Sequence, residues 1–473
     1  MRLRPGPLVA VAVLVGLSAW IYFAEQPGGE ERRRTEENRA RPIPFERHDL
    51  QALTIENDHG RVRVAWDEDG FRIAEPLSTA ADGEAIEGLL SVLESVRIER
   101  RIEVGDDLAL YGLDRPRATL TVELASVQKP RSIAVGGSTP IGNAVYVLLP
   151  GEGEVGVVSP SIGDLADQHL LRLRDKSVLP LDPWKSNLLT IERAGEVVRL
   201  EKPDSGWKIV EPISAPADGP IVTELLSAVD RLVAYAFVSE SPTSEDLQRF
   251  GLAPPSARLT ILQDGWVEPR TIEFGAATEG ARYLRILGRG PVVQVSDDIW
   301  EKVQTRLFDL RRKDLLGMSQ YQIETLTASR AGEVAVVLTR LEQQQWGASG
   351  RVSGIVSDDI VDALVRVLGT VRAGSFIDEP PEPLRSTLAS RPSLDLTIGG
   401  ERRNGAETTP SQHLLFGPKD TAGRVPVRDM ALRSLMVIDA VTFDRILYQL
   451  QEILNAVRPA EPPAATDAVP SPD

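Results

Sequence analysis

The chain repeats itself, and this repetition constrains its fold more than any other feature. The pentapeptide RAGEV occurs at Arg193–Val197 and again, 137 positions later, at Arg330–Val334. The first of these pentapeptides lies within the longer stretch LTIERAGEVVRL. This stretch is similar to LTIENDHGRVRV at Leu53–Val64. An aromatic residue follows in all three places, at Phe71, Trp207 and Trp346. A chain of 473 residues has room for about three domains of roughly 150 residues, so the sequence predicts three equivalent units.

Each copy then carries the same helix signal. Apolar residues recur at positions i, i+3, i+4 and i+7, which is one face of an α-helix. The three sets are Ile86/Leu89/Leu90/Leu93, Val222/Leu225/Leu226/Val229 and Val361/Leu364/Val365/Leu368. Asp82, Asp218 and Ser357 stand four residues before these sets and are of the types that cap helix N-termini. A capped amphipathic helix is therefore predicted at the same place in each copy.

A second shared signal lies after this helix. The stretches YGLDRP and FGLAPP each combine a glycine, Gly112 or Gly251, with a proline four residues later, Pro116 or Pro255. Glycine suits the left-handed conformation at a helix C-terminus, and proline prevents the helix from continuing. In the third copy Leu388 replaces the glycine, so we expect this cap to differ or to be absent. The repeat markers are Gly112, Pro116, Gly251, Pro255, Trp207 and Trp346.

Short segments such as ATLTVEL, ARLTIL and LDLTI alternate apolar and polar residues, as half-buried strands do. The links between them are short, which favours antiparallel pairing over parallel crossovers. The sequence therefore predicts an α+β fold with an N-terminal transmembrane helix, followed by three tandem repeat units of mostly antiparallel sheet with packed helices. The predicted repeat units span residues 47–184, 185–318 and 319–456.

The N-terminus predicts a membrane anchor over residues 1–25. Its apolar run, Pro7–Ala24, would span about 27 Å as a helix, close to the roughly 30 Å hydrocarbon core of a bilayer. A cleaved signal peptide is the alternative, but cleavage after Ala24 would place Tyr22 where a small residue is needed. We expect a flexible tether over residues 26–46 and a disordered tail over 457–473. The predicted location is the inner (cytoplasmic) membrane, single-pass, with the bulk of the chain extracytoplasmic or periplasmic.

Charge and composition exclude several functions. The net charge of −16 disfavours nucleic acid as a partner, because that affinity comes from basic residues that neutralise phosphates. The chain has no cysteine, which excludes disulfides and thiolate catalysis. None of His48, His59, His169 and His413 lies in a metalloprotease motif. The glycine-rich stretch VGGSTPIGN lacks the Lys-Ser/Thr ending of a phosphate loop. We predict no catalytic, cofactor-binding or metal-binding residue.

The LTIE start, the aromatic residue before Glu-Pro, and above all YGLDRP and FGLAPP resemble a bacterial family known as the domain of unknown function 4340. The resemblance covers about Leu50–Leu310 well and Ile323–Ile453 weakly. It implies a membrane-anchored extracytoplasmic component that accompanies ABC transport systems of the gliding-motility auxiliary type. Permease or auxiliary subunits of such a transporter would be its partners. The family provides no known catalytic residues.

We expect the partner surface to lie where the copies differ, since shared residues pack the cores. The distinctive stretches are RIERRIE with Arg97, Arg100 and Arg101, LQDGWVEPR with Asp264, Trp266 and Glu268, and FIDEPPEPLR with Phe376. The predicted function is an extracytoplasmic binding or scaffold protein in an ABC-type transport or envelope complex. A hydrolase of envelope polymers and a passive structural spacer are the alternatives.

Overall fold

The computed structural model describes residues 36–457, except 68–69, 104–106, 150, 152, 205, 331, 342–344, 401, 404–405 and 408–410. The chain divides into two compact units, of which one ends at Lys176 and the other begins at Ser177. The first unit contains one nine-stranded sheet, and the second unit contains two.

The first sheet has the strand order β4-β3-β2-β1-β6-β7-β8-β9-β5, and its neighbouring strands are antiparallel. Its strands are β1 (Leu50–Asn57), β2 (Gly60–Asp67), β3 (Gly70–Glu75), β4 (Thr79–Ala80), β5 (Ile98–Glu103), β6 (Ala118–Leu124), β7 (Val127–Ser138), β8 (Val145–Leu148) and β9 (Glu154–Val158). Its helices are α1 (Gly83–Ser95), α2 (Ser161–Ala166) and α3 (Leu170–Leu173).

The second sheet has the same order, β13-β12-β11-β10-β15-β16-β17-β18-β14. Its strands are β10 (Ser186–Arg193), β11 (Glu196–Glu201), β12 (Lys208–Glu211), β13 (Ala215–Pro216), β14 (Ala236–Ser239), β15 (Ala257–Gln263), β16 (Arg270–Thr278), β17 (Ala281–Ile286) and β18 (Val292–Ser296). Its helices are α4 (Gly219–Asp230), α5 (Ser244–Arg249), α6 (Asp298–Val303) and α7 (Leu307–Leu310).

The third sheet repeats this topology as β22-β21-β20-β19-β24-β27-β28-β29-β23. Its strands are β19 (Ile323–Arg330), β20 (Glu333–Leu341), β21 (Gln345–Gly350), β22 (Gly354–Ser357), β23 (Ser375–Ile377), β24 (Leu394–Gly400), β27 (Gln412–Phe416), β28 (Arg424–Asp429) and β29 (Leu435–Asp439), while β25 (Arg402–Arg403) and β26 (Ala406–Glu407) form a separate ribbon. Its helices are α8 (Asp358–Thr370), α9 (Glu382–Ser390) and α10 (Ala440–Ala456). The three sheets confirm that the chain is built from repeated sheet units.

The equivalent helices α1, α4 and α8 bury the predicted apolar stripes in full. The carboxylate of Asp82 accepts a hydrogen bond from the Ala85 N–H, and that of Asp218 accepts one from the Ile221 N–H. Ser357 stands at the N-cap position of α8, but its side chain makes no capping hydrogen bond. Two of the three start signals therefore act through the side chain that the sequence indicates.

Each core also contains residues that precede its first strand. Ile43 and Phe45 are buried in the core of the first sheet, although the sequence assigns them to the tether. Leu179 and Leu181 belong to the second core in the same way, and Leu315 and Leu316 to the third. We call these three pairs the lead-in residues. The repeat boundaries drawn from the sequence stay predictions.

The fold class predicted from the sequence needs a correction, which concerns the N-terminal transmembrane helix. Among the residues that the structure describes, no helix is long and apolar enough to cross a membrane. The longest of these, α10, has 17 residues and buries a single stripe that includes Phe443 and Ile453. The apolar run Pro7–Ala24, on which the prediction rested, lies outside the described residues, and so do residues 458–473. The described fold is three antiparallel sheets with packed helices.

Candidate functional site

The Gly-Leu-x-x-Pro elements close a short helical turn in the first two sheets. Gly112 and Gly251 have φ angles of 64° and 67°, in the left-handed region. The following leucines, Leu113 and Leu252, are buried. In the third sheet, α9 ends instead at Ser390, and the next residue is not left-handed. Pro116 is exposed, whereas Pro255 pairs with Leu252 across the turn. These markers therefore shape the scaffold.

The tryptophan markers differ in their surroundings. Trp346 is fully buried, and its indole N–H donates to the Asp358 carboxylate at 2.7 Å. Trp207 is also buried, and the ammonium of Lys202 lies 5.9 Å from the centre of its ring. Both rings belong to the cores of their sheets, so neither offers a binding surface.

The RIERRIE stretch forms β5, which is an edge strand of the first sheet. Arg97 donates to the backbone carbonyls of Glu94 and Val96. Arg101 pairs with Glu154 on the neighbouring strand at 2.8 Å, and Arg100 is exposed. Alternating charges on an edge strand also discourage pairing with other chains. The stretch therefore forms a charged edge strand, and its role as a partner surface stays a prediction.

Phe376 lies on β23 and is engaged within the chain. Its ring is 5.8 Å from that of Phe308, which follows the second sheet, and the Arg311 guanidinium lies 3.6 Å from its centre. Arg311 also pairs with Asp378 at 2.7 Å. These contacts join the second and third sheets. Phe376 therefore lies at the junction between the second and third sheets.

Trp266 lies on the turn between β15 and β16 and is half-buried against the second core. The Arg270 guanidinium stacks 3.9 Å from the centre of its ring. Asp264 accepts a hydrogen bond from the Asn187 side chain at 2.8 Å, while Glu268 is exposed. This turn is thus tied to β10 and, through the Asp264 N–H that donates to the Lys185 carbonyl, to the segment that precedes β10.

A second tryptophan on that segment is more exposed. Trp184 has 76% of its surface accessible, and Val267 on the neighbouring turn has 98%. The N–H of Asp264 donates to the Lys185 carbonyl at 3.0 Å, which holds the two segments together. Trp184 and Val267 thus lie on two segments that are joined by a hydrogen bond, and exposed apolar patches are typical of interaction sites. Trp184 is not one of the repeated aromatic residues Phe71, Trp207 and Trp346.

A cavity of about 540 Å³ lies on the open face of the second sheet, close to the backbone of the segment that carries Trp184. Leu188, Val210 and Leu262 provide apolar lining. Lys202 also lines the cavity, and its ammonium donates to the Trp184 carbonyl at 2.8 Å. We call this cavity, together with Trp184, the Trp184 surface. The sequence signal for this cavity is the alternation of apolar and polar residues along β10, β11, β12 and β15. Residues at the outward positions of these strands line the cavity.

Charged groups on the rim of the cavity are mostly positive. Its lining includes Arg199, Lys202 and Lys208 but a single carboxylate, Glu201. Arg199 pairs with Glu201 at 2.9 Å, so the two lysines leave a net positive charge. The surface therefore has the opposite sign to the whole chain, whose net charge is −16.

The centre of the open face is occupied by an ionic cluster. Glu273 is only 2% exposed, and its two oxygens accept from Arg258 at 3.0 Å and from Arg285 at 2.7 Å. Thr260 and Thr271 are hydrogen-bonded beside it at 2.8 Å. A buried carboxylate with both oxygens paired to guanidinium groups stabilises the sheet.

A smaller cavity of about 210 Å³ adjoins the RAGEV hairpin. Here Arg193 is buried and donates to the carbonyls of Val303 and Thr305 at the end of α6. In the first sheet Asn57 does the same for Ala166 and Gln168 after α2. These side chains satisfy helix C-termini, which otherwise leave carbonyls without partners.

The part of the chain that the structure describes contains no group of three or more His, Asp or Glu placed to hold a metal ion. The nearest approach of two histidines is an edge-to-face pair, His59 and His169, with ring centres 5.5 Å apart. Burial, followed by the charge of Arg172, lowers the pKa of His169 below its usual value of 6.5. His413 instead contacts Asp395 at 2.8 Å on the third sheet.

The fold defines a tandem repeat protein whose unit is a nine-stranded antiparallel sheet with packed helices. Residues 66–208 and 207–387 match the profile of a family described as a domain of unknown function, DUF4340. These segments cover more than half of the chain, so the protein belongs to this family. No curated protein gave a significant match.

Proposed function

We propose that this protein is a non-catalytic binding or scaffold protein that acts as an accessory component of an ABC-type transport or envelope complex. The observation that carries the proposal is the Trp184 surface. It combines an exposed tryptophan with an open cavity on the second sheet. Exposed aromatic residues of this kind are enriched among the residues that dominate protein–protein binding.

The repeat provides a matched comparison for this surface. Ser186 pairs with Gln263 at the start of the second sheet, and Ile323 pairs with Gly400 at the start of the third. Two residues before these equivalent positions stand Trp184 and Tyr321. Tyr321 is 83% exposed and Trp184 is 76% exposed, so the two side chains are similarly accessible. They differ in their surroundings.

Site-specific photocrosslinking tests the proposal. A benzophenone amino acid replaces Trp184 in one variant and Tyr321 in another, and both are irradiated in living cells. We expect discrete adducts from position 184 that contain ATPase, permease or other envelope subunits, and few from position 321. Equal, diffuse labelling at both positions would indicate a passive spacer.

The expected extracytoplasmic location belongs to the same proposal and has its own test. Because the chain has no cysteine, a single introduced cysteine reports on one place only. Glu245 on α5 is exposed and suits this purpose. A membrane-impermeant maleimide should label Glu245→Cys in cells whose cytoplasmic membrane is intact. Labelling that requires lysis of that membrane would place the sheets in the cytoplasm.

A further inference from the structure

The Trp184 surface has a distinctive charge pattern. Lys202 is held in place because its ammonium donates to the Trp184 carbonyl, and its backbone N–H donates to the Asn187 carbonyl at 2.9 Å. Lys208 is exposed on β12, towards the edge of the sheet. Two positive charges thus border one cavity in a chain that is strongly acidic overall. The long-range field of the chain repels acidic partners, while this surface attracts them locally.

The lining of the cavity between these charges is apolar. Leu188 and Leu262 lie opposite each other on paired strands, since Leu188 on β10 pairs with Leu262 on β15. Val210 lies on β12, the same strand as Lys208, two residues away, so both side chains point to the same side of the sheet. A ligand that fills this cavity must therefore present apolar side chains beside negative charges.

We infer that the Trp184 surface binds an acidic segment of a partner protein, in which carboxylates alternate with apolar side chains. This inference rests on the proposed function and specifies the chemistry of the partner. The carboxylates would meet Lys202 and Lys208, and the apolar side chains would cover Leu188, Val210 and Leu262. Trp184 would close over the bound segment from the side. Charge complementarity of this kind determines partner choice and association rate more than total affinity.

Fluorescence anisotropy with the full chain tests this inference. The probes are a short labelled peptide in which Glu alternates with Leu, and a matched peptide in which Lys replaces Glu. The acidic peptide should bind, and its Kd should rise with salt because screening weakens exposed charge pairs. The basic peptide should bind at least about tenfold more weakly. Equal binding of the two peptides would overturn the inference.

Substitutions test where on the chain the acidic peptide binds. Lys208→Glu should raise the Kd of the acidic peptide about tenfold, and Trp184→Ala should have an effect of similar size. Lys129→Glu makes the same charge change at an exposed position on β7 of the first sheet and should leave the Kd unchanged within about twofold. If Lys208→Glu and Lys129→Glu weaken binding equally, only net charge matters and the site is wrong.

Two further outcomes separate this inference from its alternatives. A synthetic peptide of the chain's own residues 459–473, which contain Glu461, Asp467 and Asp473, is added as a competitor. If it displaces the probe and a chain ending at Val457 binds the probe more tightly than the full chain does, the occupant is the tail and the partner inference fails. If position 184 crosslinks in cells but the acidic peptide does not bind, the charge inference fails while the proposed function stands.

Discussion

Trp346 and Asp358 are joined by a hydrogen bond of 2.7 Å from the indole N–H to the carboxylate, which ties β21 to the first turn of α8. Arg340 reinforces this pair, since its guanidinium lies 4.6 Å from the centre of the Trp346 ring and 3.5 Å from the same carboxylate. Trp207, at the equivalent position of the second sheet, has a buried indole nitrogen without an acceptor among the described residues.

The two tryptophans should therefore respond differently to the same substitution. Trp346→Phe removes a hydrogen bond to a charged group and should cost about 2 kcal/mol or more in the free energy of unfolding. Trp207→Phe removes a donor that has no acceptor in the described part of the chain, so it should cost clearly less. Urea denaturation of both variants checks this. Equal losses would mean that ring volume, and not the hydrogen bond, determines the cost.

The two RAGEV pentapeptides give a second comparison. Arg193 is buried and satisfies carbonyls at the end of α6, whereas Arg330 is exposed in the copy whose last helix, α10, is longer than α6. Arg193→Ala should destabilise the protein by about 2 kcal/mol, and Arg330→Ala should change stability by less than about 0.5 kcal/mol. Thermal unfolding of the two variants is the measurement. A larger loss from Arg330→Ala would contradict the role assigned to Arg193.

Gly275 on β16 is required by a close approach. A Cβ at this position would lie 2.3 Å from the Phe250 carbonyl oxygen, beside the left-handed Gly251. Gly275→Ala should therefore lower the free energy of unfolding by about 3 kcal/mol or more, because the backbone at Phe250 would have to move. Gly280→Ala is the control: its φ of 71° is unfavourable for alanine, but no atom lies within 4 Å. It should cost only about 1 kcal/mol. Similar melting temperatures for the two variants would exclude the steric explanation.

His169 should make stability depend on pH. Its pKa is lowered in the folded state by burial, then by Arg172, His59 and Lys176, so the unfolded chain binds the proton more readily. The stability that neutral His169 contributes is therefore complete above its usual pKa of 6.5 and is lost as pH falls through the lowered value. Between about pH 8 and about pH 5, the melting temperature of the wild type should fall more than that of His169→Gln. Parallel pH curves would show that other groups dominate.

Much of the scaffold follows from the sequence because its signals are local. The stripe that begins at Ile86, the cap at Asp82 and the glycine at Gly251 each act within a few residues of their own position. Periodic burial of β6 and β15 follows the same logic, because alternate side chains face the core. Three repetitions of such signals leave little freedom in the order of elements.

The candidate site depends on contacts that no local pattern encodes. Phe376 looks distinctive in the sequence, yet its ring meets Phe308, which belongs to another copy. In the two identical pentapeptides, Arg193 is buried and Arg330 is exposed, although the local sequence is the same. Lys202, Lys208 and Leu262 line one cavity only because β10 pairs with β11 and β15, and β11 pairs with β12. Such juxtapositions require the register of strands that are distant along the chain.

The lead-in residues have a consequence for how the chain is made. During translation, Leu179 and Leu181 are synthesised before the second sheet, and Leu315 and Leu316 before the third. The lead-in residues of each core are therefore synthesised before its sheet. No core needs side chains from the copy that follows it. Domains that are completed in order of emergence expose less apolar surface while translation continues. The order of the parts along the chain thus lets the three sheets fold one after another during synthesis.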